Sequence, residues 1–433
     1  MAWDCVRGKL RHGGKWPWPV LCLGLAGMLS GCTTSYYGRG LQYQIETQDA
    51  VGDAQFLRSL GNLVGPPIIG GNRVASFNNG DEIFPAMLAA IRSAQRSICL
   101  ETYIYWSGDI GRQFTDALVD RARAGVKVHV LIDWIGSRKI DSDLIEQMRA
   151  AGAEVEKYNP AVWYNLARIN HRDHRKLLVV DGRVGFTGGA GMADIWKGNA
   201  DAPDHWRDMM FQLEGPAVAQ MQAAFMDNWV KTSSRVLDGP DYFPELPAAG
   251  DHLAQVFFSS PRDGTESVRL MYLLSIAAAH QSIRLSASYF VPGHLTTEEL
   301  VDACARGVKV EIIVPGARTD LPIVRHASRA KWGPLLEAGV KIYEYQPTMY
   351  HCKMMIVDDR WVSVGSANFD NRSFRLNDEA NLNILSAGFA AEQARVFEAD
   401  KRKAHEVTCE EWRRRSLWKR FLEQLSAPFR SQL

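Results

Sequence analysis

Runs of β-branched and other apolar residues recur along this 433-residue chain at the length of buried strands, and most of them occur twice. VKVHVLI (126–132) and VKVEIIV (308–314) are short apolar runs of the buried-strand type. Each follows a stretch of helical spacing, 116–124 and 298–306, that stops at a glycine. KLLVV-DGR-VGFTG and KMMIV-DDR-WVSVG read as strand, turn, strand, with Asp-Gly or Asp-Asp at the turn. Each half thus reads as helix, strand, helix, strand, hairpin. Strands that alternate with helices predict an α/β fold with mixed, largely parallel sheets.

The two halves also share sequence. SAQRSICLETYIY (93–105) is echoed by AAHQSIRLSASYF (278–290), RAGVKVHVLI (123–132) by ARGVKVEIIV (305–314), and AAGAEVEKYNP (150–160) by EAGVKIYEYQP (337–347). HRKLLVVDG (174–182) is matched by HCKMMIVDD (351–359), and four matches in one order predict a duplicated domain. The first copy is placed at 61–230 and the second at 252–408. Between them, 231–251 carries three prolines and little periodicity and reads as a linker.

The two ends differ from this pattern. Arg7, Lys9, Arg11 and Lys15 precede an apolar stretch, PVLCLGLAGMLSGC, too short to span a bilayer and laid out like an export signal over 1–31. Its end, Leu29-Ser30-Gly31-Cys32, resembles the lipobox of bacterial lipoproteins. That resemblance implies lipidation of Cys32, a linker over 32–60, and attachment to a membrane facing the periplasm, with Thr33 favouring the outer one. At the other end, 409–433 is a basic amphipathic tail. Trp412, Trp418, Phe421, Leu422 and Leu425 alternate there with five basic residues, a pattern suited either to an anionic bilayer or to packing on the second domain.

A hydrophobic share of 46% and a charged share of 23% fit a globular protein and exclude wholesale disorder. The formal charge is +1, and loss of 1–31 removes four basic residues and one acidic, leaving −2. Such a chain lacks the basic surface that grips nucleic acid. Cys99, Cys304, Cys352 and Cys409 have no metal-type spacing.

Residues two apart on a strand face the same side, so His174 and Lys176 share a face, as do His351 and Lys353. Asp181 and Asp358 fall five residues beyond each lysine, at the turn, where a carboxylate is better placed to hold backbone amides than to touch a substrate. Two copies of His-x-Lys-x4-Asp at matching repeat positions are a specific signal. Cys352, between His351 and Lys353, alternates away into the core.

These paired motifs, with the glycine-rich sequels GFTGGAG (185–191) and SVGSAN (363–368), resemble the signature of the phospholipase D superfamily. The resemblance implies two copies of one α/β domain that face each other and build one site for a phosphodiester, with no metal and no cofactor. It implies a catalytic set of His174, Lys176, Asp181, His351, Lys353 and Asp358, with His174 as nucleophile and His351 as acid and base. Gly188, Gly189, Gly365, Ser366 and Asn368 would bind or orient the substrate, and Asp208 and Glu379 would orient the histidines. One departure stands out: where the second half has Asn368, the first has Gly191, and the backbone N–H of Gly189 or Ala190 is the expected replacement. His171 and His174 lack the further ligands of a metal site; His171 reads as a rim residue, and His205 as either a rim residue or one that supports the site from behind.

Longer segments, among them IFPAMLAAIRSAQRSICLETYIYW and WRDMMFQLEGPAVAQMQAAFMDNW, are similar to bacterial cardiolipin synthases. That likeness implies transfer of a phosphatidyl group to the headgroup hydroxyl of phosphatidylglycerol, with phosphatidylethanolamine as a further substrate. Hydrolysis by water is the alternative acceptor reaction, and a nuclease of the same superfamily is disfavoured by the charge and the export signal. Oligomeric state is not legible.

Overall fold

A computed structural model describes residues 45, 49–160, 170–261 and 266–426. Cys32 and the leader before it lie outside them. The strands of the first half are β1 (Ile69–Asn78), β2 (Ser97–Thr102), β3 (Lys127–Asp133), β4 (Glu154–Tyr158), β5 (Arg172–Asp173), β6 (Lys176–Val180), β7 (Val184–Gly188) and β8 (Met209–Glu214). Those of the second are β9 (His252–Ser259), β10 (Ser282–Ala287), β11 (Phe290–Val291), β12 (Lys309–Pro315), β13 (Lys341–Tyr345), β14 (Lys353–Val357), β15 (Trp361–Gly365), β16 (Phe369–Asp370), β17 (Asn377–Leu385) and β18 (Ala404–Val407).

One continuous sheet runs β18-β13-β12-β10-β14-β15-β17-β9-β1-β8-β7-β6-β2-β3-β4, so each half repeats the other's strand order outward from the β9–β1 junction. Pairing is parallel in β2-β3-β4 and β10-β12-β13, where helices make the crossovers. It is antiparallel through β6–β7, β14–β15 and the centre. The sheet is therefore mixed rather than largely parallel, because a tight turn can join only antiparallel neighbours. The helices foreseen at 116–124 and 298–306 begin earlier, as Asp109–Arg123 and His294–Ala305. In the first of these, Ile110, Phe114, Ala117 and Leu118 set the buried face.

Helices cover both faces. On one, Val218–Ser233 and Ala387–Lys401 pack on a single core that both halves supply, with Met221, Phe225 and Trp229 from one and Phe389, Phe397 and Cys352 from the other. Separate cores lie on the opposite face of each half. The segment 231–251 folds back on the first half: Asp241 pairs with Arg96 and Lys127, and the Tyr242 hydroxyl lies 2.8 Å from His129 Nε2. Among the described residues no helix is long and apolar enough to cross a membrane.

Candidate active site

The turn after β6 shows how the repeat is anchored. Asp181 adopts a left-handed conformation (φ 53°), and its carboxylate accepts the backbone N–H groups of Gln95, Arg96 and Ser97 at 2.7–3.1 Å. Asp358 (φ 52°) does the same for His280, Gln281 and Ser282 at 2.8–2.9 Å. Both signature aspartates thus sit at the far end of their strand, tying the hairpin to β2 or β10. Neither lines the cavity that holds the histidines.

That cavity, of about 190 Å³, is lined by His174, Lys176 and Arg172 from the first half and by His351, Asn368 and Asn377 from the second. The orienting contacts cross between halves. His174 Nδ1 lies 2.9 Å from Glu379, and His351 Nδ1 lies 2.6 Å from Asp208. The backbones cross in the same sense: the N–H of His174 donates to the carbonyl of Asp378 (2.9 Å), and that of His351 to the carbonyl of Arg207 (2.8 Å). Each histidine is therefore held at main chain and ring by two consecutive residues of the opposite copy. A carboxylate can only accept, so Nδ1 of each ring carries a proton and Nε2 is left for chemistry.

Burial governs the charges. It pushes the His174 imidazolium down to about 4 and that of His351 to about 3, where Lys353, with its Nζ 3.2 Å from the ring, adds repulsion. Burial also brings Lys176 down to about 7 and lowers Lys353. Burial opposes the carboxylates too, but the histidines and lysines around Asp208 and Glu379 outweigh it and hold both below the ordinary range. The site holds two neutral imidazoles and two carboxylates, with Lys176 and Lys353 beside them and the Asp320 carboxylate also lining the cavity.

The glycines make room. A Cβ at Gly189 would lie 2.1 Å from Asp208 Oδ1, one at Gly188 2.4 Å from the Met209 carbonyl, and one at Gly365 2.4 Å from that of Ala380. Ser366 Oγ donates to Glu379 Oε2 (2.5 Å), and Ser373 Oγ, not foreseen from sequence, donates to Oε1 (2.7 Å). Asn368 Oδ1 accepts from Ser288 Oγ (2.6 Å), which in turn receives Lys353 Nζ at 2.6 Å. Asn368 therefore bears on the lysine through Ser288.

At Gly191, one of the two expected substitutes is occupied, because the N–H of Gly189 is spent on the Met209 carbonyl (3.0 Å). Trp196 closes the space beside Gly191. A Cβ on Gly191 would come 3.2 Å from its ring and 2.8 Å from the Ile104 carbonyl, while Trp196 Nε1 donates to Asp208 Oδ2 at 2.8 Å. His205 pairs with Asp201 (2.9 Å), and His171 precedes β5 with its carbonyl accepting from Asn159. Sequence reasoning missed Tyr103, Trp196 and Arg172. Only Arg172 carried a legible signal, since it stands two residues before His174 on the same alternation.

The family described as cardiolipin synthase, PLD-like domain, matches twice, at residues 87–229 and 272–401. Cardiolipin synthase A of Pseudomonas fluorescens is 35% identical over 360 residues, 82% of this chain and 74% of that protein. The major cardiolipin synthase ClsA of Bacillus subtilis is 34% identical over 358 residues, 82% and 74%. Among solved structures, phosphatidylserine synthase of Haemophilus influenzae superposes with a TM-score of 0.67 at 15% identity, covering 88% of this chain and all of that one, a likeness of fold. With both copies matched and a third of the residues shared across four fifths of its length, the chain belongs to the cardiolipin synthase family of paired phospholipase D-like domains.

Proposed function

We propose that this protein transfers a phosphatidyl group from one glycerophospholipid to the headgroup hydroxyl of phosphatidylglycerol, making cardiolipin. The crossed His–carboxylate pairs in one cavity carry the reading, because they supply two imidazoles with free Nε2 atoms beside two buried lysines. His174, neutral, attacks phosphorus through Nε2. Glu379 holds the Nδ1 proton and balances the charge that the ring acquires. Entry of the anionic phosphodiester favours an imidazolium at His351, which gives its Nε2 proton to the departing glycerol oxygen. The acceptor hydroxyl then passes its proton to His351 Nε2 and attacks phosphorus, and the bond to His174 breaks. Lys176 and Lys353 neutralise the phosphoryl oxygens throughout.

The bilayer reading is supported by the two ends of the chain. Lipidation at Cys32 would tether the enzyme to a membrane on its periplasmic side, the outer membrane by the identity of Thr33. In the tail, Trp412 packs on Gly333 and donates to the Arg329 carbonyl, and Glu423 is buried against Arg415, while Leu417, Trp418, Phe421 and Leu425 stay exposed beside Lys419 and Arg420. Apolar side chains among cations suit an anionic bilayer.

The test is the product profile of purified protein on phosphatidylglycerol, with and without phosphatidylethanolamine. Cardiolipin with released glycerol is expected. Phosphatidic acid alone would make the protein a hydrolase.

A further inference from the structure

We propose that Arg172, with Asn377 beside it, forms a second anion subsite that holds the phosphate of the acceptor lipid, an inference that rests on the transfer reaction above. Arg172 is 3% exposed and lines the cavity together with His174 and Lys176. Its guanidinium has one long contact, Nη1 to Asp133 Oδ1 at 3.4 Å, while Nε and Nη2 have no hydrogen-bond partner among the described residues. Asp133 is itself occupied by the N–H groups of Ile135, Gly136 and Asp173 at 2.9–3.1 Å.

Arg207, buried away from the cavity, has the opposite character. Its Nε donates to both Asp400 oxygens at 3.0 Å, and its Nη atoms donate to Asn78, Asn79 and the Asp208 carbonyl. Donors left open on a buried cation carry a large desolvation cost unless a ligand meets them. A guanidinium fork fits a phosphate in two-point fashion.

Asn377 is the register partner of Arg172 in the β5–β17 pairing and lines the same cavity. Its Nδ2 donates to Glu379 Oε1 (3.2 Å), which leaves Oδ1, unpartnered, as an acceptor. Unpaired donors on Arg172 beside an unpaired acceptor on Asn377, in two residues that line the cavity, match a phosphate and a neighbouring hydroxyl.

The spacing fits the product. Arg172, His174 and Lys176 line the cavity at two-residue intervals, and two residues of extended chain advance at most about 6.6 Å. That is the reach of a three-carbon bridge between two phosphates. With the reacting phosphorus at His174, the acceptor's own phosphate falls at Arg172 and the secondary hydroxyl of its glycerol at Asn377. Water and simple alcohols carry no such phosphate, so the subsite favours transfer to a lipid over hydrolysis.

The experiment measures how one labelled phosphatidyl group divides between phosphatidylglycerol and ethanol, in mixed micelles of phosphatidylglycerol with ethanol in the buffer. Both products leave a common intermediate, so the ratio of cardiolipin to phosphatidylethanol is independent of how fast that intermediate forms and of how much protein is folded. R172Q is expected to lower this ratio tenfold or more, and R172K, which keeps the charge without the fork, to lower it less. A ratio within twofold of wild type in R172Q overturns the subsite. Should R172Q not fold, the same outcome in R172K overturns it. Absence of cardiolipin from the wild-type reaction is a separate result that refutes the transfer reading itself.

Discussion

Lys353 and Lys176 stand at matching positions in two copies of one strand, yet their surroundings differ. Lys353 Nζ is tied to Ser288 Oγ and, through it, to Asn368. Among the described residues, Lys176 Nζ bonds only the His174 carbonyl (2.7 Å), and it faces the Tyr103 ring at 5.5 Å. By the repeat, Tyr103 corresponds to Ser288 and Gly191 to Asn368. A small hydroxyl paired with an amide in one half has become a large ring paired with a glycine in the other. Tyr103 also meets His174 edge to face (5.2 Å), as Trp196 meets His351 (5.6 Å), so the difference lies in the lysines, one bonded to a hydroxyl and the other faced by a ring. Duplication supplied two equal sets of groups, and this exchange gives them unequal environments, which a site needing one nucleophile and one proton carrier requires.

The largest effect should come from splitting the histidines. His174→Ala is expected to abolish both turnover and phosphoenzyme. His351→Ala should lose about 10²–10⁴-fold in turnover, yet still trap label on His174 from a substrate whose leaving group needs no proton. Label mapped to His351 in the wild type would reverse the assignment.

A second effect follows from Lys176, whose ammonium burial brings down to about 7. Because the charged form neutralises the phosphate, kcat/KM should fall as pH rises above about 7, by up to tenfold per pH unit. At the acid end, protonation of His174 below about 4 removes the nucleophile. Lys176→Arg keeps a cation at all these pH values and should carry the alkaline fall upward. A profile that does not move would exclude Lys176 as its source.

The smallest effects test the exchanged pair. Asn368→Ala removes one hydrogen bond from the Ser288–Lys353 chain and should cost about two- to tenfold in kcat, the equivalent of about 0.5–1.5 kcal/mol. Gly191→Asn, which would restore the symmetrical residue, should instead destabilise by about 1–3 kcal/mol through overpacking against Ile104 and Trp196. Thermal denaturation would read it, and a variant as stable as wild type would show that the space is not closed.

The alternation of His174 with Lys176, and of His351 with Lys353, was open to view in the chain because a strand's period is two whatever surrounds it. So were the hairpins, through their aspartate turns, and the duplication. Membership of Glu379 and Asp208 in the site came from resemblance; which histidine each would meet did not. The Gly191 substitution was visible as a gap, but its filling by Trp196 was not, since an indole can approach from any nearby loop.

The sequence by itself determined that two copies of one α/β unit each present a histidine and a lysine on one face, because local periodicity and repetition need no partner to be expressed. Only the tertiary structure decided the crossing of His174 to Glu379 and of His351 to Asp208, pairs 205 and 143 residues apart. It also decided that Arg172 keeps unpaired donors while Arg207 does not. Such contacts depend on how the two halves share one sheet, and burial, which sets the charge of every group in the cavity, exists only once that sheet has formed.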